Sequence, residues 1–367
     1  AIKIYTENNL PEKKLLFKTR NLLYTSVYKL DDSINYYYGY LVPSTSYLHI
    51  FNLTPFCNGF LLQGPSRYNP HKTPGVNPQS KLFNIFQEHK KWAKILGVSF
   101  VGDINQAVED NRISGLIKIS EALHEKKMAS IADEISLREN VKLVLISGPS
   151  SSGKTTFSKR LSVQLEVLGF KPVQISIDNY FVERDDTPKD EHGEFDFECV
   201  EALDLELFNT QLTQLLNGEE ISVPTFDFAS GKKQFLGNTL KLQQDSILII
   251  EGIHGLNPRL TSKIEDNLKF KIFVSALTQI SIDTQNPIPT TDNRLIRRMV
   301  RDYRYRGYSA LNTLKRWQSV RKGEDKWIFP FQENADVMFN SAILCELGML
   351  KPFAEPILRD VPENCPE

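Results

Sequence analysis

Gly148-Pro149-Ser150-Ser151-Ser152-Gly153-Lys154-Thr155 matches the phosphate-binding pattern G-x-x-x-x-G-K-[ST] at every fixed position. Its flanks agree with it. The apolar run Val141–Ile146 ahead of it reads as a buried strand, and Phe157, Leu161, Leu165 and Leu168 behind it fall at helical spacing. Strand, glycine-rich turn and helix N-terminus together aim backbone N–H groups and the positive end of a helix dipole at an anion. Gly148 and Gly153 leave room for backbone to wrap a phosphate. Lys154 reaches the β- and γ-phosphates, the Thr155 hydroxyl ligates magnesium, and Ser150, Ser151, Ser152 and Thr156 complete the nucleotide-binding set. The stretch predicts that the chain binds a nucleoside triphosphate with Mg2+.

The rest of the chain narrows the setting. Its 367 residues suffice for two cores, and a net charge of −1 gives no global footprint for nucleic acid or membrane. Cys57, Cys199, Cys345 and Cys365 are scattered without a C-x-x-C pair, which argues against a disulfide framework or zinc site and suits a cytoplasmic protein. No run approaches the roughly 18 apolar residues of a membrane span, and Ala1–Leu15 is too charged for a signal peptide. The chain starts without Met and ends on a Pro-rich stretch, Lys351–Glu367, expected to be loose. These ends read as those of a fragment or a trimmed chain.

Ala1–Val101 is rich in aromatic and β-branched side chains, with strand-like runs at Lys14–Phe17, Ser33–Val42, Tyr47–Phe51 and Gly59–Gln63. Gly64–Ser80 reads as a long surface loop, and the apolar spacing through Asp103–Glu139 predicts one or two helices broken near Gly115. An N-terminal α+β domain with a helical linker is expected over 1–139. From 140 to 367 strand and helix patterns alternate, with strands at Leu143–Ser147, Val173–Ile177, Ile247–Ile250, Lys271–Val274 and Asp336–Asn340. That alternation predicts an α/β unit, a mostly parallel sheet with helices on both faces and ligands at the carboxyl ends of its strands. Val223–Leu242 reads as a β-hairpin projecting from it.

Three further features carry chemistry. Asp178 ends the second strand in I-S-I-D-N-Y-F, where a carboxylate faces the γ-phosphate. It serves as base toward an attacking hydroxyl, as magnesium support through water, or as a cap of the next helix. Glu251 ends the buried strand I-L-I-I-E-G-I, and an acid there needs a cation or hydrogen-bond donors. A second-sphere magnesium role fits it, as does bonding to nearby backbone N–H groups. Arg294, Arg297, Arg298 and Arg301 share one face of a predicted helix, with Arg304 and Arg306 beyond. Such a cluster repels itself unless it meets anions, which a transferring phosphoryl group supplies. The alternative is a solvated helix face relieved by Asp292 and Asp302.

From Val141 to about Pro356 the chain resembles the uridine kinase and phosphoribulokinase family of P-loop kinases, nearest its uridine kinase branch. The segments that carry the resemblance are G-P-S-S-S-G-K-T-T, I-D-N-Y-F, F-D-F-E-C-V-E-A-L-D, V-P-T-F-D-F, I-I-E-G-I and R-L-I-R-R-M-V-R-D-Y-R-Y-R-G, in that order. The resemblance implies a P-loop NTPase sheet and ATP-dependent phosphorylation of a nucleoside 5′-hydroxyl, with magnesium. It makes Asp178 the catalytic aspartate and Lys154, Arg298 and Arg301 its partners on the transferred group. Asp196 becomes the acid that holds the ribose hydroxyls, Phe226 a ring beside the base, and Arg298 and Arg306 further acceptor-side groups. Glu251 and Thr155 would hold the metal.

Two positions depart from that pattern. Gly231 stands where the family has a base-reading histidine, and Tyr308 where it has an arginine. Glu183–Glu194 is an added segment and Thr278–Thr291 a longer one. The first half resembles the domain appended to threonyl-tRNA synthetases, although His49, His71 and His89 are dispersed and no editing site is expected. The expected partner is a small-molecule acceptor, a nucleoside first. Other acceptors, such as a sugar phosphate, pantothenate or a cyclitol, stay open, as does homo-oligomerisation. An ATP-gated RNA-binding regulator is the rival of a different class. Its basic residues Arg112, Lys118, Lys126 and Lys127 are interleaved with acids, which leaves a weak nucleic-acid footprint.

Overall fold

A computed structural model describes residues 1–20, 23–39, 41–66, 69–76, 78–189, 191, 193, 195–227 and 230–365. Tyr40, residues 67, 68 and 77 of the proline-rich loop, Glu194, residues 228 and 229 of the expected hairpin, and the last two residues lie outside the described residues.

The first half contains α1 (Ile2–Glu7), α2 (Pro11–Thr19), a hairpin of β1 (Tyr28–Leu30) and β2 (Ser33–Asn35), and a second of β3 (Asn52–Phe56) and β4 (Gly59–Gln63). Three helices follow: α3 (Ser80–Leu96), α4 (Val101–Glu109) and α5 (Ile113–Ser136). The strand expected at Lys14–Phe17 is instead part of α2. Pro11 starts that helix, Glu12 lies at its positive end and Lys18 at its negative end, while Lys13 and Leu16 share its buried face. The strand expected at Ser33–Val42 stops at Asn35. That expected at Tyr47–Phe51 is not formed, because Thr45–Tyr47 make a 3₁₀ turn whose start is capped by the Ser44 hydroxyl, and pairing begins only at Asn52. Gly59–Gln63 forms the strand its pattern predicts. The break between helices falls at 110–112, with Asn111 at φ 58°, and Gly115 lies within α5.

Beyond α5 come β5 (Leu143–Ser147), α6 (Lys154–Val167), β6 (Lys171–Ser176), α7 (Leu205–Leu216), β7 (Ile221–Ser222), β8 (Thr225–Asp227), β9 (Lys232–Gln234) and β10 (Thr239–Leu240). They are followed by β11 (Ser246–Glu251), β12 (Lys269–Ser275), α8 (Thr290–Arg306), α9 (Ala310–Trp327), β13 (Val337–Asn340) and α10 (Glu346–Arg359). Five strands form one parallel sheet in the order β13-β12-β5-β11-β6. β5 is central and wholly buried, with Val144 and Ile146 on one face and Leu143 and Leu145 on the other. Helices cover both faces, as a buried parallel sheet requires. On the first, α6 contributes Phe157, Leu161 and Leu165, and α5 contributes Met128, Ile131, Ala132 and Ile135 to the same core. On the second, α7 brings Phe208, Leu212 and Leu215. The chain crosses from β5 over β11 to β6, then returns to build β12 and β13 on the other side. The carboxyl end of β5 is therefore a topological switch point, where an open α/β sheet leaves a crevice for ligands.

β8 and β9 pair antiparallel, and β10 returns to β7, so the Val223–Leu242 segment carries the expected hairpin within a shorter span. The stretch expected to be loose, Lys351–Glu367, is helical as far as Arg359. Pro352 and Pro356 sit on its exposed side, where the carbonyls they orphan face water, while Ala354 and Ile357 pack with Met299 and Val300 of α8. Tertiary burial outweighs two prolines here. Among the described residues no helix is long and apolar enough to cross a membrane.

Candidate active site

The loop after β5 turns tightly under its neighbours. A Cβ on Gly148 would collide with the Val274 carbonyl of β12, so only glycine lets the backbone pass. Ser151 sits at φ 58°, and Gly153 caps α6 in the left-handed region with no side chain bonded to the first-turn N–H groups. No acid occupies that first turn, so the helix start is left open to an anion. The hydroxyls of Ser151 and Ser152 are buried without a protein partner, which suits a cradle for phosphate oxygens. Lys154 folds back, its Nζ donating to the carbonyls of Gly148 at 2.9 Å and Pro149 at 3.3 Å. Burial pulls its ammonium below the usual lysine range, opposed by the nearby charges of Glu251 and Asp178.

Two acids stand at the strand ends beside it. Asp178 begins the 3₁₀ turn that follows β6, half-buried, and burial raises its carboxyl above the ordinary range in spite of Lys154, Arg306 and Arg301. Glu251 closes β11. Its Oε1 accepts from the Thr155 hydroxyl at 3.1 Å and from Ser176 at 3.5 Å, and burial raises it too. Both acids therefore depend on the cations around them to stay ionised.

The arginine run lies on α8 as predicted, but its members separate by partner. Asp302, itself on α8 and buried, gathers Arg298 (3.3 Å), Arg301 (2.7 Å) and Arg306 (3.8 Å). Arg298 also donates to the Ser150 hydroxyl at 2.7 Å. Arg294 is fully buried, ion-paired with Glu324 of α9, and donates to the Ser150 carbonyl at 3.0 Å. Arg297 pairs with Glu346 and Ser341 beside Gly153 of the loop, and Arg304 stacks on Phe353. Asp302, not solvent, relieves the cluster's self-repulsion.

On the acceptor side, the carboxylate of Asp196 accepts the backbone N–H of Glu198 at 3.1 Å. Glu198, two residues on in the same motif and passed over in sequence, is the acid more deeply engaged with the cluster. Its carboxyl is pushed up to about 7 by burial, opposed by Arg298 and Lys154 and reinforced by Glu324 and Asp196. The signal that could have found it was present: two acids at i and i+2 in F-D-F-E, one able to brace the other. Phe226 in β8 lies 5.6 Å from Phe181, centroid to centroid, at the turn that follows Asp178. Gly231, at φ 72°, is closed to any side chain, since a Cβ there would lie 2.8 Å from Arg184 of the added segment. Arg316 stacks on Tyr308 at 4.9 Å. The other added stretch, residues 278–291, is held from the first half: Asp283 pairs with Lys13 at 2.8 Å, and Asn286 bonds the backbone of Tyr36 and Tyr38. His89 packs on Trp92, while His49 and His71 are exposed, so the three histidines are not brought together.

The donor set suits a hard cation. Thr155 and Glu251 offer adjoining oxygens at the loop, and among the described residues no group of three His, Cys, Asp or Glu could hold a metal. Magnesium is bound in this manner, by one or two protein oxygens with the rest from phosphate and water.

The uridine kinase of Staphylococcus aureus is 29% identical over 197 residues, which cover 53% of this chain and 86% of that protein. Among solved structures, a possible uridine kinase from Bacillus stearothermophilus aligns with a TM-score of 0.40 and 19% identity, covering 59% of this chain and 98% of that one. D-glycerate 3-kinase from Cryptococcus neoformans var. grubii aligns at 0.35 and 12%, covering 57% and 89%. The resemblance of residues 1–139 to a threonyl-tRNA synthetase domain gains no support from these matches. The model of the Phosphoribulokinase / Uridine kinase family matches residues 143–345, more than half of the chain and the whole of the site just described. The chain belongs to the phosphoribulokinase and uridine kinase family.

Proposed function

We propose that the protein transfers the γ-phosphoryl group of ATP to a hydroxyl of a nucleoside. The observation that carries this reading is the position of Asp178, a half-buried carboxylate whose charge is supported by Lys154, Arg306 and Arg301 at the mouth of the phosphate loop. Asp178 takes the proton of the acceptor hydroxyl as its oxygen bonds to the γ-phosphorus. The bond from that phosphorus to the β,γ-bridging oxygen breaks, and ADP leaves with the electron pair. Lys154, Arg298 and Arg301 neutralise the charge on the transferring oxygens. Magnesium, when bound beside Thr155 and Glu251, draws charge from the β- and γ-phosphates. Glu198, braced by Asp196, and Arg306 receive the acceptor's remaining hydroxyls, and Phe226 offers it a ring. Lid residues on α8 exclude water and so limit ATP hydrolysis.

The relative named uridine kinase supports a ribonucleoside acceptor. Gly231 and Tyr308 support a different polyhydroxylated acceptor, a sugar phosphate, pantothenate or a cyclitol, because polar groups that read a base are replaced there. ATP-to-ADP turnover with magnesium against nucleosides, sugars, sugar phosphates and polyols, with Asp178→Ala alongside, separates the two. One ribonucleoside that stimulates wild type but not the variant establishes the first. A non-nucleoside that does so establishes the second. No stimulation by any acceptor refutes the kinase reading.

A further inference from the structure

The phosphate loop is gripped from outside at one residue. The Ser150 carbonyl accepts from Arg294 Nε at 3.0 Å, and the Ser150 N–H donates to Glu324 Oε1 at 3.1 Å. Arg294 and Glu324 pair with each other, and both are buried, at 1% and 0% exposure. Arg321 holds the second carboxylate oxygen of Glu324 at 3.0 Å, and the Arg294 guanidinium lies 5.5 Å over Trp317. Every partner comes from α8 or α9, far from the loop in sequence.

We propose that Arg294 and Glu324 are positioning residues for the phosphate-binding loop. This proposal rests on the reading of that loop as the ATP site. The N–H and the carbonyl of Ser150 belong to two successive planar peptide units. Holding both sets the backbone angles of Ser150, and with them the entry into Ser151 at φ 58° and the N–H groups that follow. A fold that needed only a brace here would be served as well by apolar packing, since a buried ion pair is costly to dehydrate. Instead Arg294 Nε donates to the Ser150 carbonyl, and the same Glu324 oxygen that pairs with Arg294 accepts the Ser150 N–H. The neighbouring Gly323 faces the acceptor side, because a Cβ there would collide with the Glu198 side chain. Consecutive residues of α9 thus touch the acceptor acid and the donor loop, and α8 adds Arg298 on the Ser150 hydroxyl. Acceptor and phosphate sites share one wall.

Calorimetric titration with ATP and magnesium, on the full chain, tests this. Glu324→Gln keeps an oxygen for the Ser150 N–H but removes the charge that pairs with Arg294, and Arg294→Lys keeps the charge but loses the fork. Val320→Ala, a buried position one turn earlier on α9, serves as a control for lost stability. The expected result is at least a tenfold loss of ATP affinity in both cluster variants, with Val320→Ala at wild-type affinity. Equal losses in all three make the cluster a plain structural element and overturn the proposal. Retention of affinity by Glu324→Gln and Arg294→Lys overturns it as well. Failure of the wild type to bind ATP refutes the underlying site reading instead.

Discussion

Lys13→Met should loosen the grip of the first half on the segment that feeds α8. Lys13 Nζ lies 2.8 Å from Asp283, and both side chains are entirely buried. Removing one partner of a buried pair costs about 3–5 kcal/mol, because the survivor is left charged without its counter-ion. Asp283 keeps N–H donors from Gln285 at 2.9 Å and Asn286 at 3.0 Å, and the Asn286 side-chain amide at 2.8 Å. Those bonds favour the lower end, about 3 kcal/mol, which corresponds to a roughly 100-fold change in a local opening equilibrium. Hydrogen exchange at the amides of Leu15, Leu16 and Phe17 should accelerate by that factor, with the amides of β5 as an internal reference. Asp283→Asn added to Lys13→Met removes the stranded charge and should recover most of the loss. The reasoning is refuted if the single variant exchanges within threefold of wild type, or if the double variant is no slower than the single.

Asp178→Asn should lower turnover about 10²–10⁴-fold while ATP still binds, as loss of a positioned base does; a variant above a tenth of wild-type turnover rules out that role. Because burial raises Asp178, the acid limb of acceptor kcat/KM should lie above its ordinary 3.8, with activity present above that limb and lost as pH falls through it. Glu198 moves from 4.5 to about 7 on folding, so the folded state holds a proton that the unfolded chain releases. Stability should therefore fall as pH rises through that window, and Glu198→Gln should flatten the slope between pH 5 and pH 8 in thermal melts. Identical slopes would count against the assignment. Thr155→Val removes the hydroxyl beside Glu251, and the magnesium concentration for half-maximal turnover should rise on the order of tenfold; an unmoved midpoint would exclude Thr155 as a ligand.

What could be foreseen from the residues follows a physical divide. The sheet of the second half was legible because its inner strands β5, β11 and β12 are buried on both faces, so their identity lies in a short continuous apolar run between turn signals. The phosphate loop was legible because backbone geometry demands glycine at fixed positions, as the Val274 carbonyl over Gly148 makes plain. In the first half, aromatic and β-branched composition suggested strands where the structure has a helix at Pro11–Thr19. There the decisive signals were terminal ones, Pro11, Glu12 and Lys18, rather than periodicity. The helix at Ser80–Leu96 was missed although its Gly97 stop, at φ 64°, stood in the sequence.

The site divides in the same way. Asp178 and Glu251 could be singled out because one follows and the other closes a strand of the parallel sheet, where chain direction alone brings a carboxylate to the ligand crevice. Glu324 carried no such mark. It lies mid-helix, 174 residues from the Ser150 N–H it accepts, and only the packing of α8 and α9 against the loop gives it a partner. Arginines 294, 297, 298 and 301 looked equivalent on one predicted face, yet Glu324, Glu346 and Asp302 assign them different tasks. Motif spacing thus identifies groups whose place is set by their own strand or turn. Groups whose place is set by a distant counter-charge stay hidden until that charge is located. In this chain the second kind connects Glu198 to the loop, through a helix pair in which Gly323 and Glu324 are adjacent.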